Sequence, residues 1–258
     1  MLFHRATSSG AAIAYLDLVG TSADDVSVYL GGLGSSGLVA FAPVVGHPAV
    51  AGRGRHVLVD LLGSGWSDHD DDFGHSVEDH ADSVAGLLAG LSLRQVRLVG
   101  HSLGGSVAIA LAFRHPDLVR TLVVAEPNLD PGPGSFSRHV VAHPEEEFAR
   151  TGHAVLVSRL LELARGGDPN AAEFARTVRR WSSRGLSRTA HSLVADREPT
   201  FRAQLAELPI ERRYVSGELS DERLDEVRAS GCDVRVVPGA GHVMMTDNLD
   251  GFVAAVRP

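Results

Sequence analysis

The segment Gly100-His101-Ser102-Leu103-Gly104, followed by Gly105, sets a serine hydroxyl among glycines directly after the apolar run Val96 to Val99 and before the helical run Ser106 to Phe113. A serine on a tight strand-to-helix turn projects its Oγ above a sheet, and the flanking glycines let the backbone pass without a Cβ clash. The N–H of Leu103, opening the helix, then points to where an oxyanion would form. A serine hydroxyl is a weak nucleophile at its own pKa and needs a nearly neutral histidine to take its proton. Pro238-Gly239-Ala240-Gly241-His242 offers one where the last apolar run ends. Among thirteen histidines, His242 is singled out by that position, whereas His101, the neighbour of the turn serine, is expected to pack beneath it. Such a pair attacks carbonyl carbon.

An acid must orient the base, and three residues are candidates. Glu126 follows the apolar run Thr121 to Ala125, where a carboxylate is an odd choice unless it is used. Asp221 and Glu218 lie after the run Arg213 to Ser216, although Ser220-Asp221-Glu222 also reads as a helix N-cap with first-turn acids. Geometry, not spacing, defines a triad, so all three stay open on the residues alone.

The elements that must position these groups are legible as short apolar runs bounded by Gly and Pro, alternating with segments of helical period. That is the pattern of a mostly parallel sheet covered by helices, an α/β fold. Strands are expected at Ala12 to Val19, Val26 to Leu30, Val57 to Leu61, Val96 to Val99, Thr121 to Ala125, Arg213 to Ser216 and Val234 to Val237. A helix from Ser76 to Leu91 carries Val77, Val84, Leu87, Leu88 and Leu91 along one side, with Ser76 as its N-cap. The strand signal vanishes from 130 to 207, which reads as a helical insertion opened by Asp130-Pro131-Gly132-Pro133-Gly134; residues 1–129 and 208–258 form the core.

Composition narrows the partners. With 258 residues, 44% of them hydrophobic and 22% charged, the chain suits one large domain rather than a disordered segment. A formal charge of −8 with scattered arginines is no footprint for nucleic acid or anionic lipid. One cysteine, Cys232, makes no internal disulfide. No apolar run approaches the ~18 residues of a membrane span, and no basic stretch with an apolar run opens the chain, so the expected location is the cytoplasm. The acidic turn Asp68-His69-Asp70-Asp71-Asp72 lacks a second ligand cluster at useful spacing, and neither metal nor cofactor is expected.

These motifs together resemble the α/β-hydrolase superfamily from about Ile13 to the end of the chain. Asp60-Leu61-Leu62-Gly63-Ser64-Gly65-Trp66-Ser67-Asp68 looks like its D-x-x-G-x-G-x-S-D turn, and Gly31-Gly32-Leu33-Gly34 stands where the family usually has His-Gly-x-Gly. The resemblance implies an oxyanion hole from the N–H groups of Leu33, beside Gly32, and Leu103. The family's usual acid position is Ser220 here, and in some members the acid comes from the earlier strand. The placement of Ser102, Glu126 and His242 resembles the lactonases that open the macrocycle zearalenone, which favours Glu126 over Asp221 and Glu218 as the acid. The implied reaction is cofactor-free hydrolysis of an ester or lactone through an acyl-enzyme, with 130–207 as a helical cap choosing a small-molecule substrate. Trp181, the cap's one tryptophan, is a candidate to stack on a substrate ring; Phe136, Phe148, Leu160 and Leu161 either line the same pocket or join cap helices.

Three rival readings remain. The same constellation serves a carbon–carbon bond hydrolase and a slow-turnover ligand receptor. A dinucleotide-binding oxidoreductase is suggested by Gly32-Leu33-Gly34-Ser35-Ser36-Gly37, a G-x-G-x-x-G match, with Asp60 ending the next strand. That reading leaves the Ser102 turn and His242 unexplained.

Overall fold

The computed structural model describes residues 1–134 and 136–257. Eight strands form one sheet in the order β1-β2-β4-β3-β5-β6-β7-β8. They are β1 (Leu2–Arg5), β2 (Ala12–Val19), β3 (Val26–Leu30), β4 (Arg55–Val59), β5 (Val96–His101), β6 (Val119–Ala125), β7 (Glu211–Gly217) and β8 (Asp233–Val237). β1 and β2 pair antiparallel, β2 pairs antiparallel with β4, and the rest run parallel. All seven expected strands are present. The eighth, β1, was not legible because Leu2 and Phe3 are exposed on an edge hairpin and leave no alternating pattern.

Both faces of the parallel strands are covered, which is why those runs are continuously apolar. Val28, Leu30, Val57, Leu98 and Leu122 pack against α2 (Val77–Gly90) and α3 (Leu103–Arg114). On the other face Tyr29, Leu58, Val99 and Val123 meet Phe41 of α1 (Gly37–Gly46) and Phe252 near the carboxyl terminus. α2 begins at a capping box in which Ser76 Oγ accepts from Asp79 N and Asp79 Oδ2 accepts from Ser76 N.

Between β6 and β7 run α4 (Ser137–Val141), α5 (Glu145–Glu147), α6 (His153–Arg165), α7 (Pro169–Val178), α8 (Ser183–Val194) and α9 (Phe201–Glu207). This segment is tied to the loop after β3: Thr177 Oγ1 donates to Gly34 O at 2.8 Å and Trp181 Nε1 to Ser35 O at 2.7 Å. The chain closes with α10 (Leu224–Ala229), α11 (Met244–Asp247) and α12 (Leu249–Val256). α10 starts at Leu224, so Ser220 is not its N-cap, and Glu222 accepts the Tyr214 hydroxyl at 2.8 Å ahead of the helix. Among the described residues no helix is long and apolar enough to cross a membrane.

Candidate active site

Strand order brings the chemistry together. β5, β6 and β7 are neighbours, and the ladder continues past their carboxyl ends: Ser102 N donates to Ala125 O at 2.8 Å and Glu126 N to Val215 O at 3.2 Å. Ser102 and Glu126 therefore leave adjacent strands at the same edge of the sheet. Both have positive φ, 53° for Ser102 and 44° for Glu126, a conformation costing a non-glycine residue roughly 1–3 kcal/mol that tight packing must hold. At Ser102 the packing is tight: a Cβ at Gly104 would lie 2.2 Å from Leu30 O and one at Gly100 2.3 Å from Gly104 O, so only glycine fits either position.

The Glu126 carboxylate is buried and accepts from His242 Nδ1 at 2.6 Å through Oε2, and from Gly217 N at 2.8 Å and Ser216 Oγ at 3.2 Å through Oε1. Burial by itself would raise its pKa. The hydrogen bond and charge of His242, with the Ser220 hydroxyl and the Gly217 N–H, outweigh that and hold the carboxyl below its ordinary range. Ser220, at the position where the family usually has its acid, thus contributes to holding the Glu126 carboxylate ionised. With Nδ1–H donated to Glu126, the free lone pair of His242 is on Nε2. Glu218 accepts from Gly239 N, and Asp221 lines the cavity without a bond to His242 among the described residues.

His101, expected to pack beneath the turn, is buried but also lines the site cavity, its ring centroid 4.8 Å from that of His242. Its Nε2 is 2.8 Å from the His242 main-chain oxygen, which can only accept, so Nε2 carries the proton. Burial, with His242 beside it, pushes the ring's pKa down to about 3, so the ring is neutral and bonded to the His242 backbone.

A cavity of about 340 Å³ opens above these groups, with Ser102, Glu126, His242, Gly32 and Leu33 in its wall. Leu33 and Leu103 are buried, and among the described residues neither N–H has a partner within the protein. Two unpaired donors beside a nucleophile are what an oxyanion hole requires. Gly32 lies against Ser102, since a Cβ there would be 3.2 Å from Ser102 Cβ.

Trp181 is not in that wall. It is 2% exposed in the apolar core and its indole N–H is spent on Ser35 O, so it anchors the α7–α8 turn to the loop after β3. Phe148 is likewise buried in the core and Leu161 is exposed, while Phe136 does line the cavity, stacked on Phe174 at 5.2 Å. The aromatic wall was missed at Phe174 because helical spacing alone does not say which face of α7 meets the cavity. Also unforeseen was a charged wall: Arg202 grips Asp130 through both Nε and Nη2, and Arg223 reaches the same carboxylate at 3.2 Å.

The Asp60 carboxylate, which the dinucleotide reading would give to a ribose, accepts from Ser36 Oγ at 2.7 Å, Trp66 N at 3.0 Å and Leu38 N at 3.2 Å. It is fully buried and holds the start of α1 and the 60–68 turn together.

Known proteins match this arrangement. A thermophilic esterase from Thermogutta terrifontis superposes with a TM-score of 0.80 at 18% identity, covering 99% of this chain and 96% of that one. An enol-lactonase from Burkholderia xenovorans LB400 superposes with a TM-score of 0.80 at 20% identity, covering 99% and 98%. At these identities the likeness is one of fold. In sequence, the chain is 40% identical over 77 residues to a 2-hydroxymuconate semialdehyde hydrolase from Pseudomonas sp. (strain CF600), a match spanning 30% of this chain and 27% of that protein's length. A model of the alpha/beta hydrolase family matches residues 28–255, most of the chain, and with the sheet order and the Ser102 turn this makes the protein a member of the alpha/beta hydrolase family.

Proposed function

We propose that this protein is a serine hydrolase that cleaves a carboxylic ester or lactone through an acyl-enzyme. Ser102 Oγ attacks the carbonyl carbon while His242 Nε2 takes its proton. Glu126 holds the Nδ1–H tautomer and stabilises the imidazolium. The N–H groups of Leu33 and Leu103 receive the oxyanion. The tetrahedral species collapses, the leaving alkoxide takes the proton from His242, and water activated by the same base releases the acid and restores Ser102. Residues 130–207 act as a cap whose Phe136 and Phe174 cover the acyl or alkyl group.

The observation that carries this reading is the 2.6 Å Glu126–His242 bond beside a serine at φ 53°. The likeness to an esterase and an enol-lactonase supports the substrate class. A second reading, hydrolysis of a carbon–carbon bond beside a ketone, rests on the local match to the semialdehyde hydrolase and uses the same groups.

The test is turnover of a panel of neutral p-nitrophenyl esters and lactones, zearalenone included, by wild type and Ser102→Ala, with a fluorophosphonate probe reporting nucleophilicity. Wild type should turn over at least one ester or lactone, and Ser102→Ala should lose roughly 10⁴-fold or more in kcat. Full activity in Ser102→Ala would overturn the mechanism, and probe labelling without ester or lactone turnover would favour the second reading.

A further inference from the structure

The opposite edge of the sheet, at the amino ends of β3, β4 and β5, holds a second cavity of about 310 Å³. Ser27 of β3 pairs in register with His56 of β4 on one side and with Arg97 of β5 on the other, so three polar side chains form one cross-strand row. Ser27 is 6%, His56 9% and Arg97 4% exposed, each followed by an apolar residue on its strand. All three line the cavity, with Tyr29 below them and Arg53 at the rim.

A buried guanidinium normally has a carboxylate partner, because an unpaired buried charge is costly. Arg97 has no ion pair among the described residues. Its one hydrogen bond there, from Nη2, goes to the main-chain oxygen of Val256, the last residue of α12. Burial, with Arg213 nearby, pulls its pKa below the usual value. Asp25, the acid in the wall, is engaged by Arg120 outside. His56 Nδ1 meets the Tyr29 hydroxyl at 2.9 Å, while its buried Nε2 has no partner among the described residues. Val44, Val50 and Val256 supply an apolar wall beside these groups.

We propose that this cavity binds a small organic oxyanion, a phosphate or carboxylate head group on an apolar body. Arg97 is the buried counter-charge, Arg53 draws the anion in, the Ser27 and Tyr29 hydroxyls stand beside the head group, and the valines take the body. The site lies at the far edge of the sheet from Ser102 and is independent of the hydrolytic reading. The volume is more than inorganic phosphate fills, so a ring-bearing anion binds more tightly than the bare ion.

The experiment is calorimetric titration of the full chain with inorganic phosphate, phenyl phosphate and benzoate at constant ionic strength set by chloride, on wild type, Ser102→Ala, Arg53→Gln and Arg97→Met. Wild type and Ser102→Ala should bind phenyl phosphate or benzoate with one-site saturation, and the tighter of the two distinguishes a phosphate from a carboxylate ligand. Arg97→Met should abolish that binding and Arg53→Gln weaken it about tenfold. Absence of saturable binding, or equal binding by wild type and Arg53→Gln with Arg97→Met folded and unaffected, would leave Arg97 as a structural partner of α12 and overturn the proposal. Should Arg97→Met fail to fold, Arg53→Gln decides alone.

Discussion

The two cavities are close in size and stand at opposite ends of the same strands, yet their walls are opposite in charge. At the carboxyl edge the carboxylates of Glu126, Asp130, Glu173, Asp221 and Glu222 face only Arg202 and Arg223. At the amino edge Arg53, Arg97 and Arg257 face only Asp25, in a chain whose formal charge is −8. The difference follows the direction of the helices. In a parallel sheet the N-terminus of each following helix lies at the carboxyl edge, so α3 brings partial positive charge and free N–H groups to Ser102, and an acidic wall complements it. α12 ends at the amino edge, where its carbonyls present partial negative charge to Arg97. In the proposed reaction the carboxyl edge receives a neutral acyl group that becomes negative only in the transition state, whereas the ligand proposed for the amino edge is an anion from the start.

The largest effect that sharpens this contrast is at Glu126. Glu126→Gln keeps the size of the side chain but disfavours the Nδ1–H tautomer, and kcat on the best ester should fall about 10²- to 10⁴-fold while phenyl phosphate binding is unchanged. Asp221→Asn should retain kcat within a few-fold; a larger loss there than in Glu126→Gln would reassign the acid.

Acid should weaken the fold through its buried histidines. His101 and His80 are held at about 3 by burial, against roughly 6.5 in an unfolded chain. Between those values the unfolded chain binds protons that the folded one does not, so stability is lost as pH falls from about 6.5 towards 3. Glu126, held low in the folded state, adds to the loss as pH falls below the ordinary carboxylate range. The urea midpoint should drop between pH 7.5 and 4.5, and an unchanged midpoint would contradict the neutral burial of these rings.

Trp181→Phe removes the donor to Ser35 O and leaves that carbonyl unpaired, for a loss of about 1–3 kcal/mol in urea unfolding. Since Ser35 follows the Leu33 turn, kcat should fall a few-fold with KM little changed. The reverse pattern, KM rising alone, would return Trp181 to the substrate. The smallest effect is that of Glu173→Gln, which should improve kcat/KM for a carboxylate-bearing ester over its neutral analogue by a few-fold at low salt and less at high salt. Equal ratios in both proteins would mean the acidic wall does not screen substrates.

Much of the fold was legible because the covered strands had to be apolar on both faces and because α2 announces its start with the Ser76 cap. Ser102 and His242 stood out for local reasons: Gly100 and Gly104 flank Ser102 at the end of an apolar run, and Gly239 and Gly241 precede His242 after the last one. Glu126 stood out only as an anomaly, an acid after an apolar strand, because the histidine it bonds lies 116 positions away. Arg97 was passed over as one charge inside an apolar strand, although Arg in Val-Arg-Leu-Val is the same kind of anomaly.

What the sequence by itself determined is what local chemistry and periodicity can impose: the α/β alternation, the Ser102 turn, the Ser76 cap and the helical insertion from 130. Tertiary structure decided what depends on strand order and register. It placed Glu126 beside His242, turned Trp181 inward to Ser35, set Phe136 against Phe174, and aligned His56, Ser27 and Arg97 in one row. None of these pairs is near in sequence, and a side chain's partner across a sheet is fixed by which strand lies next to it, a choice settled by the burial of the whole core.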